Sequence, residues 1–349
     1  MATSVVGMDI GGLMLRAVEV SDPGSARPTL LRYHQVQIPA GAVLSGEVIE
    51  TNTVAGALKQ LWAEGGFKTK NVVLGVGNQR VLARDLSVPK MSLARIRESL
   101  PFEVQEMLPI PIADALLDFY PIAEIEGETG PMVRGLLIAA VKAAVLANVN
   151  SAQLAGLTTV DVDLIPFALS RVLLSRPGVS GTVALIDIGG STTSVVIAID
   201  GVPQFVRIIA TGGNDITQAL RSDAEPAGEQ PEETKRRLGL ATGTVAAADK
   251  KAIEVIYKVA SEQLTSLRNT INYFVNTRPI DAVRQIVLSG GGSQLRGLPE
   301  ALAEMTRLPV EVADPFGTVA LGRGLTLQEL RRDGSEFAVA LGLALGRAA

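Results

Sequence analysis

The sequence predicts an α/β protein of two similar lobes, a duplicated β-hairpin/α architecture with a small inserted subdomain. Two observations carry this reading. First, one pattern occurs twice: residues 7–20 and 183–201 each run along an apolar strand into Asp-Ile-Gly-Gly and leave through a second apolar strand, with Asp9-Ile10-Gly11-Gly12 in one copy and Asp187-Ile188-Gly189-Gly190 in the other. A lone Asp-Gly-Gly is equally an ordinary turn, but two matched copies far apart suggest two related halves facing each other. Second, the 349 residues are enough for two proper cores, and the texture of the chain changes over about residues 81–140.

The first hairpin occupies residues 5–20, and Asp22-Pro23-Gly24 turns the chain into a further strand over 29–38. Val54, Ala57, Leu58 and Leu61 have the spacing of an amphipathic helix over 51–64, followed by a strand over 71–76. Residues 77–89 read as a polar strand pair. A short helix capped by Ser92 should stop near Pro101. Strands over 117–122 and 132–140, with an acidic turn between them, and a helix over 142–156 come next. A strand over 158–164 leads through Pro166 to a helix over 167–174, which delivers the chain to the second hairpin. After it come a strand over 205–209, a helix behind Gly212-Gly213, and a loop over 222–231. A helical turn over 232–238 and a long helix over 246–276 follow. The buried strand 286–288 opens into Gly290-Gly291-Gly292-Ser293, and helix 298–306, strand 310–312 and a glycine-spotted helix over 336–345 complete the chain.

Composition narrows the chemistry. With 47% hydrophobic and 19% charged residues the chain reads as an ordinary globular protein, and a net charge of −4 gives no reason to expect nucleic acid as a general partner. The absence of cysteine removes disulfide and thiol chemistry, and His34, the single histidine, reads as a strand or loop residue. Any metal is therefore expected to be a hard, oxygen-liganded ion. No basic-then-apolar leader opens the sequence, and the apolar runs 135–147 and 337–345 are too short to span a bilayer. The expectation is a cytosolic protein that meets a membrane only through partners.

The Asp-Ile-Gly-Gly turns carry the candidate chemistry. Glycine lets backbone approach a ligand closely, and amides with the hydroxyls of Ser191, Thr192 and Thr193 can bind anionic oxygens. Asp9 and Asp187, each at a strand end, can hold a hydrated Mg²⁺. Gly11, Gly12, Gly189 and Gly190 therefore line an expected phosphate site, with Gly212 and Gly213 beside it. Gly290, Gly291, Gly292 and Ser293 offer bare backbone on which a base and sugar can lie, although a glycine triplet also makes an ordinary loop. Glu232 and Lys235, three apart on a helix, could hold ribose hydroxyls and a ring edge; a solvated surface pair is the simpler reading of so charged a run. Neither a strand–GxGxxG–helix unit nor GxxxxGK[ST] is present.

This combination resembles the actin-like ATPase fold family. Within it, the match that runs nearly the whole chain is to the PilM family of type IV pilus assembly, which is related to FtsA. Residues 7–20, the run from Pro101-Phe102-Glu103 through Pro109-Ile110-Pro111 to Leu117-Asp118-Phe119-Tyr120, and residues 163–169 carry the resemblance. The middle run is the most specific of the three. The resemblance implies ATP or ADP with Mg²⁺ between two lobes, and a groove near Phe102, Glu103 and Ile110 for the short N-terminal cytoplasmic tail of the membrane protein PilN. The implied role is an adaptor at the inner face of the cytoplasmic membrane, held there through PilN and other pilus assembly components. FtsA proteins carry a C-terminal amphipathic anchor, whereas this sequence stops at Gly346-Arg347-Ala348-Ala349, which favours the PilM reading. The expected division is lobe I over 1–80 and 141–180, the inserted subdomain over 81–140, lobe II over 181–330, and a C-terminal helix over 331–349 returning to lobe I.

Two departures from the family pattern bear on turnover. Leu13 and Met14 stand where a small hydroxyl residue is usual, with Arg16 where lysine is common. Ile165 precedes the interdomain proline where a polar residue often sits near the attacking water, and an aliphatic side chain cannot orient water. Asp163 is the nearest carboxylate. At most a weak ATPase is expected. A small-molecule kinase of the same fold and an FtsA- or MreB-like polymer are the alternatives; the apolar loops after both hairpins argue against the kinase.

Overall fold

The computed structural model describes residues 4–128, 130–224, 229–240, 246–278, 282–332 and 334–346. The chain begins with β1 (Ser4–Ile10), β2 (Met14–Ser21), β3 (Thr29–Gln37), the two-residue strands β4 (Val43–Leu44) and β5 (Glu47–Val48), α1 (Thr51–Gly65) and β6 (Asn71–Val76). It continues through β7 (Leu82–Pro89), α2 (Leu93–Glu103), β8 (Ala115–Gly127), β9 (Gly130–Val141), α3 (Lys142–Leu154), β10 (Thr158–Leu164) and α4 (Ile165–Ser170). The second half holds β11 (Thr182–Ile188), β12 (Thr193–Ile199), β13 (Val202–Ile209), α5 (Gly213–Ala219), α6 (Pro231–Leu238) and α7 (Lys250–Thr277). The last elements are β14 (Gln285–Ser289), α8 (Leu298–Thr306), β15 (Val310–Val312), β16 (Ala320–Leu321), α9 (Leu327–Arg332) and α10 (Ala338–Ala344).

Two sheets repeat one topology. The first runs β10-β6-β1-β2-β3-β16 and the second β13-β12-β11-β14-β15. In each, the first strand of the Asp-Ile-Gly-Gly hairpin pairs antiparallel with its partner and parallel with a later strand, β6 for β1 and β14 for β11. The hairpin registers also match. Asp9 faces Arg16 and Ile10 faces Leu15 in one; Asp187 faces Ser194 and Ile188 faces Thr193 in the other. A parallel strand requires a crossover connection, and α1 and α7 lie in those crossovers. Each helix buries one apolar stripe: Val54, Leu58 and Leu61 on α1, and Ile256, Leu264, Leu267 and Ile271 on α7.

A separate three-stranded sheet, β7-β9-β8, carries α2 and its own small core of Val88, Ile96, Leu100, Val104, Phe119 and Leu137. This sheet leans on lobe II: Arg278 pairs with Asp85 and, together with Arg134, donates to the buried Gln204 on β13.

Every residue of α10, from Ala338 to Ala344, is buried. It lies against β1, where a Cβ on Gly7 would stand 2.0 Å from the Ala340 carbonyl, and against α4, where one on Gly342 would stand 2.2 Å from the Ala168 carbonyl. Backbone contact this close leaves room only for glycine.

Several expectations need correction. The strand pair expected over 77–89 is one strand, β7, whose mate is β9; the residues before it turn about Asn78, whose side chain accepts from the Arg80 amide. Pro101 does not stop its helix. Proline lacks a donor, but α2 continues to Glu103 because Leu100 and Val104 are both fully buried and the Val104 amide bonds the Leu100 carbonyl. The strand expected over 117–122 runs on to Gly127, so the acidic residues 124 and 126 lie in β8. The helix expected over 167–174 begins at Ile165 and loosens into a π-turn over Arg171–Ser175. The C-terminal helix starts at Ala338, after a 3₁₀ turn over Gly334–Phe337. The loop expected over 222–231 lies partly outside the described residues.

Candidate functional site

A cleft of about 1120 Å³ separates the two lobes. Both Asp-Ile-Gly-Gly turns project into it, and each is closed by the same backbone bond: the Gly11 amide to the Met14 carbonyl (3.0 Å), and the Gly189 amide to the Thr192 carbonyl (2.9 Å). The tips meet, since a Cβ on Gly12 would stand 3.2 Å from Ser191 Oγ. Among the described residues, the amides of Gly12, Gly190 and Ser191 donate to no protein group. Free backbone donors of this kind can take an anion.

Asp9 and Asp187 line this space and are both buried. Burial pushes the Asp9 carboxyl above its usual value, with Arg16 opposing. Burial raises Asp187 to about 6; the Ser289 hydroxyl moderates the rise, the charge of Asp9 adds to it, and Arg16 works against it. Ser289 Oγ is itself buried. Two buried carboxylates, both raised by burial and one raised further by the charge of the other, are short of positive charge, which a divalent cation supplies. Among the described residues no cluster of three or more His, Cys, Asp or Glu could hold a metal. The donor set present, two carboxylates, suits Mg²⁺ that keeps most of its water.

On the lobe II wall, Gly190, Ser191 and Thr192 line the cleft, and α5 braces their turn from behind. The Gly213 and Asn214 amides donate to the Gly189 and Gly190 carbonyls at 2.9 and 2.8 Å. Gly213, Gly290, Gly291 and Gly292 also line the cleft. Gly290 has φ +83, and its Cβ would collide with the Ile188 carbonyl at 2.3 Å, so the triplet's first member is dictated by the strand beside it. Glu232 and Lys235 sit at the cleft wall as part of a network. Lys235, its side chain only 12% exposed, brings its Nζ to 2.6 Å from Glu232, 2.9 Å from Thr217 Oγ1 and 3.1 Å from the Gly213 carbonyl. Burial works to raise the Glu232 carboxyl, but hydrogen bonds from Lys235, Thr217 and Arg236 outweigh it and hold the group below its usual value. This is not the solvated pair that the charge run suggests.

Three expected site residues lie off the cleft wall. Thr193 is buried; its hydroxyl donates to the Thr211 carbonyl (2.7 Å) and accepts from Gln263 (3.2 Å). Alternation along β12 turns Thr193 inward and places its neighbour Ser194 on the cleft side. Ser293 Oγ is spent on the Gly290 carbonyl at 2.6 Å, closing the glycine loop. Gly212 backs the turn, with its Cβ position 2.5 Å from the Gly190 carbonyl.

Ile165 does line the cleft, packed against Gly75 and Gly77. Asp163 does not: it is buried, accepts from its neighbour Leu164, and is paired at 2.8 Å with Arg171, which also donates to the Gly342 carbonyl. Phe102, 85% exposed, Glu103, and the half-buried Ile110 belong to the α2 subdomain, away from the cleft lining. Sequence reasoning missed Glu336, which lines the cleft and pairs with Arg16; its only signal was a charge at the start of an expected apolar helix.

Comparison with known proteins agrees with this geometry. The family described as "Type IV pilus assembly protein PilM" matches residues 7–348. A solved structure described as a PilM-PilN type IV pilus biogenesis complex superposes with TM-score 0.84 at 30% identity, covering 99% of this chain and 98% of that one. The cell division protein FtsA of Pseudomonas aeruginosa is 24% identical over 91% of this chain and 84% of its own length. MreB5 of Spiroplasma citri, solved bound to ADP, shares the fold with TM-score 0.54 at 14% identity, covering 97% of this chain and 94% of that one. The fold is that of the actin-like ATPases, and the chain belongs to the PilM family of type IV pilus assembly proteins.

Proposed function

We propose that this chain is a nucleotide-binding adaptor of the type IV pilus inner-membrane assembly complex, which holds ATP or ADP with Mg²⁺ between its two Asp-Ile-Gly-Gly turns and hydrolyses ATP slowly or not at all. The observation that carries the reading is the facing pair of turns, with free amides at their tips and the buried Asp9 and Asp187 behind them. When bound, Mg²⁺ supplies the positive charge that both the carboxylates and a polyphosphate require. Asp9 and Asp187 orient its water shell. The amides of Gly12, Gly190 and Ser191 and the hydroxyls of Ser191 and Thr192 take phosphate oxygens. Gly290, Gly291 and Gly292 provide a flat backbone wall for the nucleoside, and Glu232 and Lys235 flank it.

Turnover is disfavoured by what surrounds the site. Ile165 presents only hydrocarbon, and Asp163 is committed to Arg171, so neither orients an attacking water. The energy of nucleotide binding then fixes the relation of the lobes rather than driving a cycle.

The partner is the N-terminal cytoplasmic tail of a PilN-like membrane protein, received beside Phe102, Glu103 and Ile110. Family membership and the solved PilM-PilN complex support this reading, as does the nearly full exposure of Phe102. On this reading the adaptor lies at the cytoplasmic face of the membrane through that partner and other assembly components; no helix among the described residues is long and apolar enough to cross a membrane.

Mass spectrometry of the nucleotide retained on purified protein, with and without a PilN-type tail peptide, tests both halves. ATP or ADP is expected in stoichiometric amount; protein that retains none and takes up none on titration refutes the cleft assignment. Phe102→Glu should weaken the tail by about tenfold, the effect of losing one buried aromatic anchor, and undiminished binding would move the groove elsewhere.

A further inference from the structure

We propose that Glu336 sets the cleft's preference among nucleotides: by holding Arg16 and placing a negative charge beside the phosphate turns, it selects against the more highly charged triphosphate. The inference rests on the nucleotide reading above. Arg16 stands on β2 opposite Asp9, and its Nε donates to Gln35 Oε1 at 3.1 Å. Its Nη2 donates to Glu336 Oε2 at 2.5 Å, with the two side chains only 17% and 22% exposed. Both residues line the cleft. The other oxygen of the carboxylate, Oε1, lies 3.5 Å from the Cβ position of Gly291. Glu336 therefore sits where the first phosphate turn meets the glycine triplet, two elements between which a nucleotide is expected to lie.

Charge makes this placement consequential. Among the described cleft-lining residues, Arg16 is the cation contributed by lobe I, while Arg221, Lys235 and Arg236 come from the α5–α6 side of lobe II. Lys235 and Arg236 are already paired with Glu232. A phosphate that recruits Arg16 must share it with Glu336 or displace Glu336, and meets that carboxylate's own charge on the way. Both penalties grow with the charge of the ligand, so they are largest for ATP, smaller for ADP and absent for adenosine. The carboxylate also has a structural tie: Glu336 lies in the 3₁₀ turn whose Phe337 leads into the buried α10. Any loss of that tie would act on all three ligands alike, which is how the two roles are told apart.

Calorimetric titration of the full chain with Mg-ATP, Mg-ADP and adenosine, for wild type, Glu336→Gln, Glu336→Asp and Arg16→Gln, tests the inference, with melting temperatures recorded alongside. Glu336→Gln should tighten ATP about tenfold, ADP about threefold, and leave adenosine within about twofold. Glu336→Asp keeps the charge and should keep the wild-type ATP-to-ADP ratio. Arg16→Gln leaves Glu336 unopposed and should weaken ATP more than ADP, with adenosine unchanged. Should Glu336→Gln fail to fold, Glu336→Ala takes its place and its ATP-to-ADP ratio decides, since losing Arg16 weakens ATP more than ADP whatever Glu336 does. The inference is overturned if Glu336→Gln weakens ATP, leaves the ATP-to-ADP ratio unaltered, or shifts all three ligands by one factor. A wild-type protein that binds none of the three refutes the nucleotide reading itself, whereas one that binds them with an unaltered ratio in the variant sinks only the role of Glu336.

Discussion

The two Asp-Ile-Gly-Gly hairpins share a backbone and differ in their chemistry. Strand register, the closing amide-to-carbonyl bond and the buried aspartate are the same in both. Their loops are not. The first turn offers Leu13, 45% exposed, then Met14 and an arginine facing the aspartate; the second offers Ser191, Thr192 and a serine facing it. The second turn is also braced by the α5 amides, whereas the first is held by the Ile38 amide on the Leu13 carbonyl. On the proposed reading one turn binds an anion through backbone and hydroxyls, the other through backbone and a single guanidinium that a carboxylate already holds. The pair can grip a polyphosphate. On the proposed reading neither turn positions a water for attack.

The largest expected effect comes from breaking the better-equipped turn. Asp187→Ala removes half of the charge available to the metal and should weaken Mg-ATP about 1000-fold, on the scale of losing a buried charge partner; unchanged affinity by calorimetry would remove Asp187 from the site.

A pH dependence tests Asp187 next. The folded-state pKa of Asp187 lies above the free value of 3.8, at about 6, so its contribution to stability is full below the free value and is lost as pH rises through about 6. Nucleotide-free protein should lose up to ~3 kcal/mol over that window from this group alone. Asp187→Asn should flatten the slope measured by denaturant titration, and an equal slope in the variant would contradict the assignment.

The bracing of the second turn gives a smaller effect. Gly212→Ala forces a methyl against the Gly190 carbonyl and should cost ~2 kcal/mol by overpacking, read as a lowered melting temperature. Smallest of all, Leu13→Ser returns a hydroxyl to the first turn. It should tighten Mg-ATP by roughly twofold to tenfold, one neutral hydrogen bond, without bringing hydrolysis, because Ile165 and the sequestered Asp163 are untouched. A burst of hydrolysis in that variant would place the defect in the turn.

The sequence made the duplication legible because β-branched and aliphatic runs around an Asp-Gly-Gly turn survive as a pattern in both lobes. It also placed Asp9, Asp187 and the turn glycines in one cleft. Residue roles that depend on facing were less legible. Thr193 looks like Ser191 and Thr192 in a row of hydroxyls, yet it matches Leu15 of the first hairpin, and both are buried; comparing the two hairpins position by position would have shown it. Ser293 satisfies its own loop, which no spacing reveals. Glu336 reaches the cleft only because α10 returns the end of the chain to lobe I, a tertiary fact with no local signature. Pro101 misled for the opposite reason: a strong local stop signal was overridden by the burial of Leu100 and Val104.

The most direct test of the unequal clamp is a paired measurement on one sample of Mg-ATP: stoichiometry of binding by calorimetry, and phosphate release over the same period. The account predicts one nucleotide bound per chain and turnover well below about 1 per second, the low end of ordinary enzyme rates. Tight binding with turnover above that rate, or no binding at all, would contradict it.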